Sequence, residues 1–281
     1  MPEGDTIFRT ATTLSKAIGG KVVRAFRSPL PGFGTASERL PGQRITEVEA
    51  RGKYLLVHFE AGATLLTHMR MTGSWHIYRP GERWQKSERA ARVVIETDDF
   101  VAVCFAAPVV ELVPKGGLDR HPALARLGPD ILKDDFDAEK ARERLRERAG
   151  EPIHEALLMQ SVLAGIGNVY KSEVLFLCRI DPLVRVADLT DGTLDRVIAK
   201  ARELMSRNLE GLPRTTTEAR ARAFMPRERP RYWVYGRAGE PCQECRARVQ
   251  ASREAGEGVA GRVTYWCPTC QPPGATGRAG G

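Results

Sequence analysis

An opening helical stretch, a run of closely spaced strand patterns, and a helix-rich second half ending in two Cys-x2-Cys pairs predict the fold of this 281-residue chain. They predict an α+β multidomain protein: an N-terminal helix plus β-sandwich, then a helical domain, then a C-terminal zinc ribbon. Residues Thr6 to Ile18 carry Ile7, Phe8, Ala11, Leu14, Ala17 and Ile18 at helical spacing, with Gly19-Gly20 as the stop and Asp5 or Thr6 as the candidate cap. From Lys21 to Val113 the pattern changes to strands: KVVRAF, QRITEVEA, KYLLVHFE, ATLLTHM, SWHIY, ARVVIET and FVAVCF. Turn signals at Pro31-Gly32, Pro41-Gly42, Ala61-Gly62 and Asp98-Asp99 separate them. One helix followed by many short strands points to a sandwich with the helix at one end.

After HPALARLGPDIL the period becomes helical, over Asp137 to Ala149, Pro152 to Gln160, Gly167 to Cys178 and Leu194 to Asn208. Lys200 to Arg237 holds ten basic residues against four acidic ones, and Pro213 to Arg231 lacks a period and reads as a mobile basic loop. The final PPGATGRAGG is expected to be disordered. The expected divisions are residues 1–125 for the helix and sandwich, 126–235 for the helical domain with its basic loop, 236–271 for the ribbon, and 272–281 for the tail.

Hydrophobic residues make up 42% and charged residues 28%, values that exclude a disordered chain. No basic stretch followed by an apolar one opens the sequence, so a secretory leader is not expected. The longest apolar run, Phe100 to Val110, is too short to span a bilayer. A cytoplasmic protein without a membrane span is expected. The net charge of +8 fits a polyanionic partner without distinguishing among polyanions.

Of the six cysteines, Cys104 and Cys178 sit alone in apolar segments and read as buried thiols. Cys242-x2-Cys245 and Cys267-x2-Cys270 stand 21 residues apart. Each pair offers two thiolates from one tight turn, and four thiolates satisfy tetrahedral Zn²⁺. The segment between them reads as strand, glycine-containing turn, strand. So small a module needs the metal as a substitute for a core. One structural Zn²⁺ with no open coordination position is expected.

Pro2 follows Met1 directly, and a small second residue permits removal of the initiator. The freed secondary amine would titrate near neutrality, about pKa 7.7–8.0, and the positive end of the following helix lowers that value. Such an amine can attack an aldehydic carbon and give an iminium, a strong electron sink. Glu3 beside it can move a proton in that step.

Five further segments accompany MPEGDTI: RGKYLL around Lys53, ATLLTHMRMTGSW around Met71, GPD at 128–130, QSVLAGIGNVYKSEVLF around Asn168, and the terminal double CxxC. In this order the motifs resemble the formamidopyrimidine-DNA glycosylase/endonuclease VIII family along the whole chain. The opening MPEG and the stretch YGRAGEPCQEC are more similar to the endonuclease VIII branch.

The resemblance implies a bifunctional DNA glycosylase and abasic-site lyase of base excision repair, acting as a monomer on double-stranded DNA with an oxidised base or an abasic site. Oxidised pyrimidines are the implied substrates. An oxidised-purine glycosylase of the same fold, or a catalytically silent damaged-DNA-binding protein, is the alternative. Pro2 would attack C1′ of the damaged nucleoside, Glu3 would protonate the sugar oxygen or assist ring opening, and β-elimination followed by δ-elimination would cut the strand. Lys53 would hold the phosphate beside the lesion. GIGNVYKSE would be the turn of a helix–two-turns–helix element, with Asn168 on the DNA backbone, where glycines admit a phosphate and a helix N-terminus attracts it. An N-cap is the plainer role for Asn168. Arg126 would contact DNA, and Arg262 of the ribbon would hold a phosphate and aid the second elimination. Met71 would plug the space left by the extruded base and Arg70 would pair with the orphaned one, with core packing the alternative for Met71. Three departures from the family pattern stand out: Asp5-Thr6 replaces Pro-Glu, Met159 replaces an acidic residue ahead of GIGN, and the ribbon hairpin is longer.

Overall fold

The computed structural model describes residues 2–210, 213–217, 231–253 and 262–277. The chain divides into two compact units, Met1–Arg126 and Leu127–Gly281.

In the first unit helix α1 spans Gly4–Ile18. It starts earlier than the sequence pattern suggests. Glu3 is extended, with φ −121° and ψ −178°, and its carbonyl accepts the amides of Thr6 (2.9 Å) and Ile7 (3.1 Å). Glu3 is therefore the N-cap, and Asp5 and Thr6 lie inside the first turn. There follow β1 (Ala25–Arg27), α2 (Gly34–Arg39), β2 (Ile45–Arg51), β3 (Tyr54–Phe59), β4 (Thr64–His68), β5 (Ser74–Tyr78), β6 (Ala91–Glu96), β7 (Val101–Phe105) and β8 (Val109–Val113). They form two antiparallel four-stranded sheets in the orders β1-β6-β7-β5 and β2-β3-β4-β8, as the expected sandwich requires. Ile7, Leu14, Ile18, Phe26, Leu55, Val57, Phe59, Leu65, Val93, Ile95 and Cys104 form its core. Two elements escape the sequence pattern. The short α2 lies between two turn signals, and β8 separates from β7 at Ala106, whose φ is +48°, so a single apolar run serves both sheets.

The second unit contains α3 (Ala138–Arg146), α4 (Ile153–Ala156), α5 (Asn168–Leu177), α6 (Asp191–Ser206), β9 (Gln250–Arg253) and β10 (Val263–Trp266). The Asp137 side chain caps α3 by accepting the Lys140 amide at 2.9 Å, and Thr190 caps α6 through the Thr193 amide at 3.2 Å. That cap explains why α6 begins ahead of Leu194. Helix α4 ends well before Gln160, because the Gln160 side chain takes over the backbone groups of the next turn. Its Nε2 donates to the carbonyls of Leu158 (3.0 Å) and Ile166 (2.9 Å), and its Oε1 accepts the Gly165 amide (3.1 Å). Gly165 sits at φ +103°, a conformation that favours glycine.

The antiparallel pair β9–β10 packs on α5 through a small cluster of Phe176, Val234, Val249, Cys242 and Cys267. The first nine residues of α5 are all buried, as expected of a helix enclosed on every side.

Two segments are better ordered than the sequence suggested. From Pro272 to Gly277 the expected disordered tail is tied down: the Asp181 amide donates to Ala275 O (2.9 Å), the Gly274 amide to Asp181 Oδ2 (2.8 Å), and Thr276 bridges to Ile180. The basic loop starts on buried residues, Arg214 to Thr217, and Asn208 holds Thr215 through bonds of 2.8 and 3.0 Å. The rest of that loop, 218–230, lies outside the described residues, as do 278–281 of the tail. Among the described residues no helix is long and apolar enough to cross a membrane.

Candidate active site and metal centre

Packing in the first unit brings the N-terminus and Lys53 to the same end of a sheet. The Gly20 amide donates to Ile45 O (2.8 Å) and the Ile45 amide to Lys21 O (2.9 Å), which pins the C-terminus of α1 at the start of β2. Helix α1 then lies along β2 and β3. Its 15 residues cover about 22 Å, and the seven residues of β2 cover about 23 Å. Pro2 and Glu3 therefore arrive where β2 ends, at the Gly52-Lys53 turn. Glu3 is fully buried and Lys53 is 8% exposed, while Pro2 is partly exposed. Arg51 pairs with Tyr54 across the turn. Gly52 has φ +58° and Lys53 does not share that sign, the pattern of a type II′ hairpin turn, which needs glycine first. Asp5, which stands where the family pattern has proline, is also fully buried.

The loop with Met71 leaves the sheet at this same end. Tyr54, next to Lys53, meets His68 at the end of β4 edge-on, with ring centroids 4.8 Å apart. The turn closes through the Gly73 amide on Met69 O (2.8 Å) and the Thr72 hydroxyl on Ala106 O (2.9 Å). Met69 enters the core, whereas Met71 is 65% exposed, so the core-packing alternative does not hold for Met71. Arg70 is exposed and holds φ +43°, a left-handed conformation that costs on the order of 1 kcal/mol outside glycine and often marks functional loops. Arg126, the last residue of this unit, is exposed in a turn.

In the second unit Asn168 is the first residue of α5, and Gly167 is the N-cap. The capping role considered for Asn168 is thus excluded. Its side chain, 4% exposed, instead reaches the ribbon: Nδ2 donates to Val263 O at 2.8 Å, and Oδ1 accepts from Lys171 Nζ at 2.7 Å. Arg262 stands exposed immediately before β10. The structure therefore joins the helix that carries Asn168 to the strand that follows Arg262. Met159 packs against the helical core.

Glu173 was given no role on sequence, yet it organises the neighbouring backbone. It is fully buried and accepts the amides of Trp233 (2.8 Å), Val234 (2.9 Å) and Tyr235 (2.8 Å) as well as the Thr216 hydroxyl. Burial pushes its pKa up, against hydrogen bonds that favour the carboxylate. The available signal was a pair of charged residues, Lys171 and Glu173, inside an otherwise uncharged helix.

Among the described residues, Cys242, Cys245, Cys267 and Cys270 form the group that could hold a metal, with all Sγ atoms within 4.8 Å of one another. Two of the separations are 3.9 Å (Cys242–Cys270) and 3.4 Å (Cys245–Cys267). Zn–S bonds of about 2.3 Å in a tetrahedron place sulfurs about 3.8 Å apart, so the donor set fits. Burial and the adjacent sulfurs raise the Cys270 thiol, which is why four thiolates here need a cation. Cys104 and Cys178 are buried thiols, pushed up by that burial to about 12 and about 11, and so are chemically quiet.

Comparison with known proteins agrees with this geometry. Residues 1–108 match the formamidopyrimidine-DNA glycosylase N-terminal domain, and residues 127–219 match the formamidopyrimidine-DNA glycosylase H2TH domain. The chain is 38% identical to "Probable endonuclease 8 2" of Streptomyces coelicolor, covering 100% of this chain and 97% of that one. It is 37% identical to "DNA-(apurinic or apyrimidinic site) lyase Nei2" of Mycolicibacterium smegmatis, covering 96% and 99%. Among solved structures, a Lactococcus lactis formamidopyrimidine-DNA glycosylase bound to DNA with an abasic site matches with a TM-score of 0.79 and 25% identity, over 96% of this chain and 99% of that one. With both domains matched in order and relatives matched from end to end, the chain belongs to the formamidopyrimidine-DNA glycosylase/endonuclease VIII family.

Proposed function

We propose that this protein is an endonuclease VIII-like enzyme of base excision repair, which removes oxidised pyrimidines from double-stranded DNA and cuts the resulting abasic site, working as a monomer. DNA glycosylase and abasic-site lyase activity follow from the family. The observation that carries the imine mechanism is the buried Glu3 beside Pro2, delivered by α1 to the end of the sheet where Lys53 turns.

Once Met1 is removed, the Pro2 amine attacks C1′ and the bond from C1′ to the damaged base breaks. Glu3 gives a proton to the sugar oxygen as the ring opens, leaving an iminium at C1′. Loss of the C2′ proton then breaks the C3′–O bond and expels the 3′-phosphate. A second elimination breaks the C5′–O bond and leaves a one-nucleotide gap. Lys53 holds the phosphate beside the lesion. Asn168 and Arg262 hold the DNA backbone, Arg262 assisting the second elimination, and Arg126 adds a further contact. Met71 fills the space of the extruded base, for which its exposure suits it, and Arg70 meets the orphaned partner. The four cysteines would hold one structural Zn²⁺, whose chemistry would be to fix the ribbon next to Arg262 and not to activate water.

Borohydride trapping on an abasic duplex, with peptide mapping of the adduct, tests the mechanism. An adduct on Pro2 is expected, and an adduct on Lys53 would move the nucleophile. Relatives named endonuclease 8 favour the pyrimidine reading, whereas a matched structure holding 8-oxo-G DNA favours a purine one. Base release from thymine glycol, dihydrouracil and 8-oxoguanine decides. Release of the oxidised purine alone would replace the substrate assignment.

A further inference from the structure

Strand β5 carries a chain of polar groups that the reaction leaves unused. Ser74, His76 and Tyr78 pair with Phe105, Val103 and Val101 of β7. Those partners and Tyr78 belong to an apolar cluster separate from the sandwich core, so the three side chains share the face of the sheet that points away from that core. The segment after β5 crosses this face. The Gln85 amide donates to the Tyr78 hydroxyl (3.1 Å), and Lys86 Nζ stands 2.8 Å from Ser74 Oγ and 6.0 Å from the Phe105 ring centroid. His76 lies between, with Nδ1 3.2 Å from the Tyr78 hydroxyl and Nε2 3.1 Å from Ser74 Oγ.

One fixed donor sets the direction of every bond in the chain. Tyr78 is buried and its oxygen accepts the Gln85 amide, so its hydrogen goes to His76 Nδ1. Burial, and then the Lys86 charge, push the His76 pKa down, which keeps the ring neutral. A neutral ring that accepts at Nδ1 donates at Nε2. Ser74 Oγ thus receives two donors, His76 Nε2–H and the Lys86 ammonium, and both its lone pairs are used. Its own hydrogen points elsewhere, and no described residue accepts it. Lys86 is exposed and uses one of its three N–H groups on Ser74. The pair therefore offers donors only, the pattern that an anion recognises.

Ser74 follows Met71 by three residues, so their Cα atoms are at most about 11 Å apart. Residues 79–92 hold five basic side chains against two acidic ones, a field that attracts a polyanion. We propose that Ser74 and Lys86 bind a backbone phosphate of the DNA duplex within about four nucleotides of the site that Met71 enters, with Tyr78 and His76 as positioning residues that hold the Ser74 hydroxyl as a donor. This rests on the reading above that Met71 enters the DNA.

The test uses the full-length protein and a duplex carrying a tetrahydrofuran abasic-site analogue, with the dissociation constant measured across salt concentrations. Lys86→Met is expected to weaken binding about 10-fold and to lower the salt slope by about 0.9, the value of one phosphate contact. Ser74→Ala should weaken binding about 3- to 10-fold and leave the slope unchanged. Tyr78→Phe lets His76 accept at Nε2, which turns the Ser74 hydrogen inward. It should weaken binding as Ser74→Ala does, and add little in the Ser74→Ala background. A series of duplexes, each with one phosphate replaced by a neutral methylphosphonate, locates the contact: at one position the wild-type complex should weaken and the Lys86→Met complex should not. Lys86→Met with wild-type affinity and slope overturns the proposal, as does a series in which the two proteins respond alike at every position. A Tyr78→Phe effect that is equally large without the Ser74 hydroxyl overturns the positioning role. If Met71→Ala binds and excises as wild type does while Lys86→Met is impaired, the reading of Met71 fails instead and the phosphate contact stands.

Discussion

Removing the Glu173 carboxylate should weaken the second unit by an amount that can be worked out bond by bond. Oε1 accepts the amides of Val234 and Tyr235, and Oε2 accepts the Trp233 amide and the Thr216 hydroxyl. In Glu173→Gln one oxygen remains. If the new amide nitrogen takes the Oε2 position, it faces the Trp233 N–H, and two donors confront each other. The Thr216 hydroxyl can rotate to accept, but the Trp233 amide cannot. One buried unsatisfied donor costs about 1–3 kcal/mol, and a domain of this size loses about 2–4 °C per kcal/mol, so melting should fall by about 2–12 °C. Glu173→Leu orphans all three amides, about 3–9 kcal/mol by the same rule, a large share of the 5–15 kcal/mol typical of a whole domain. Calorimetry on both variants, with near-ultraviolet circular dichroism to follow Trp233, checks this. A Gln variant melting within about 1 °C of wild type, together with a Leu variant that folds normally, would refute the view of Glu173 as the anchor of the 233–235 backbone.

Four further outcomes are expected. His154 is held near pKa 3 by burial and then by the Lys171 charge, so the unfolded chain takes up a proton at about 6.5 that the folded chain refuses. Stability should therefore fall as pH drops below about 6.5, by about 2 kcal/mol at pH 5, and denaturant titrations of His154→Phe should lack that component. Gly165→Ala places a Cβ 3.3 Å from Ile131 at φ +103°, and its melting curve should show a loss of about 1–3 kcal/mol. Metal analysis should find one zinc per chain, with Cys267→Ser lowering zinc content and the ribbon's protection from hydrogen exchange together. Met71→Ala, at a site 65% exposed, should change stability by less than about 0.5 kcal/mol while lowering base excision; an equal loss of stability would return Met71 to the core.

The sandwich was legible because its strands are short runs rich in β-branched and aromatic residues and its turns carry Gly, Pro and Asp. The metal site was legible because four thiols at double CxxC spacing have few other uses. Glu3 and Lys53 were singled out through motifs, and Gly20 was legible as a helix stop, yet their sharing one end of the sheet depends on the bonds that Ile45 makes to Gly20 and Lys21, and Ile45 has no sequence signature. The short α2 was hidden between two turn signals, and β8 was hidden because Ala106, in a left-handed conformation, breaks the apolar run without a glycine. Lys171 and Glu173 escaped for a different reason. A charged residue on a helix reads as solvent-facing, and only the arrival of the ribbon and of residues 216 and 233–235 buries them. The tail from Pro272 reads as disordered because its composition is that of a linker, while its order comes from partners nearly a hundred residues away at Ile180 and Asp181.

Those partners give the ribbon two feet on one base. The chain enters the ribbon just after the amides held by Glu173 and leaves it through Gln271, whose side chain accepts the Cys267 amide (3.0 Å) and donates to Ile180 O (2.8 Å). Most of the entropy of closing this segment into a loop is thus spent at the feet, before any metal binds. Lengthening the connection between β9 and β10 then costs little, since doubling a loop adds only about 0.6 kcal/mol. The connection is therefore a place where added length is expected to be tolerated. An insertion of the same size between Tyr235 and Cys242, or between Cys270 and Asp181's partners, would detach a foot and let the two thiol pairs drift apart.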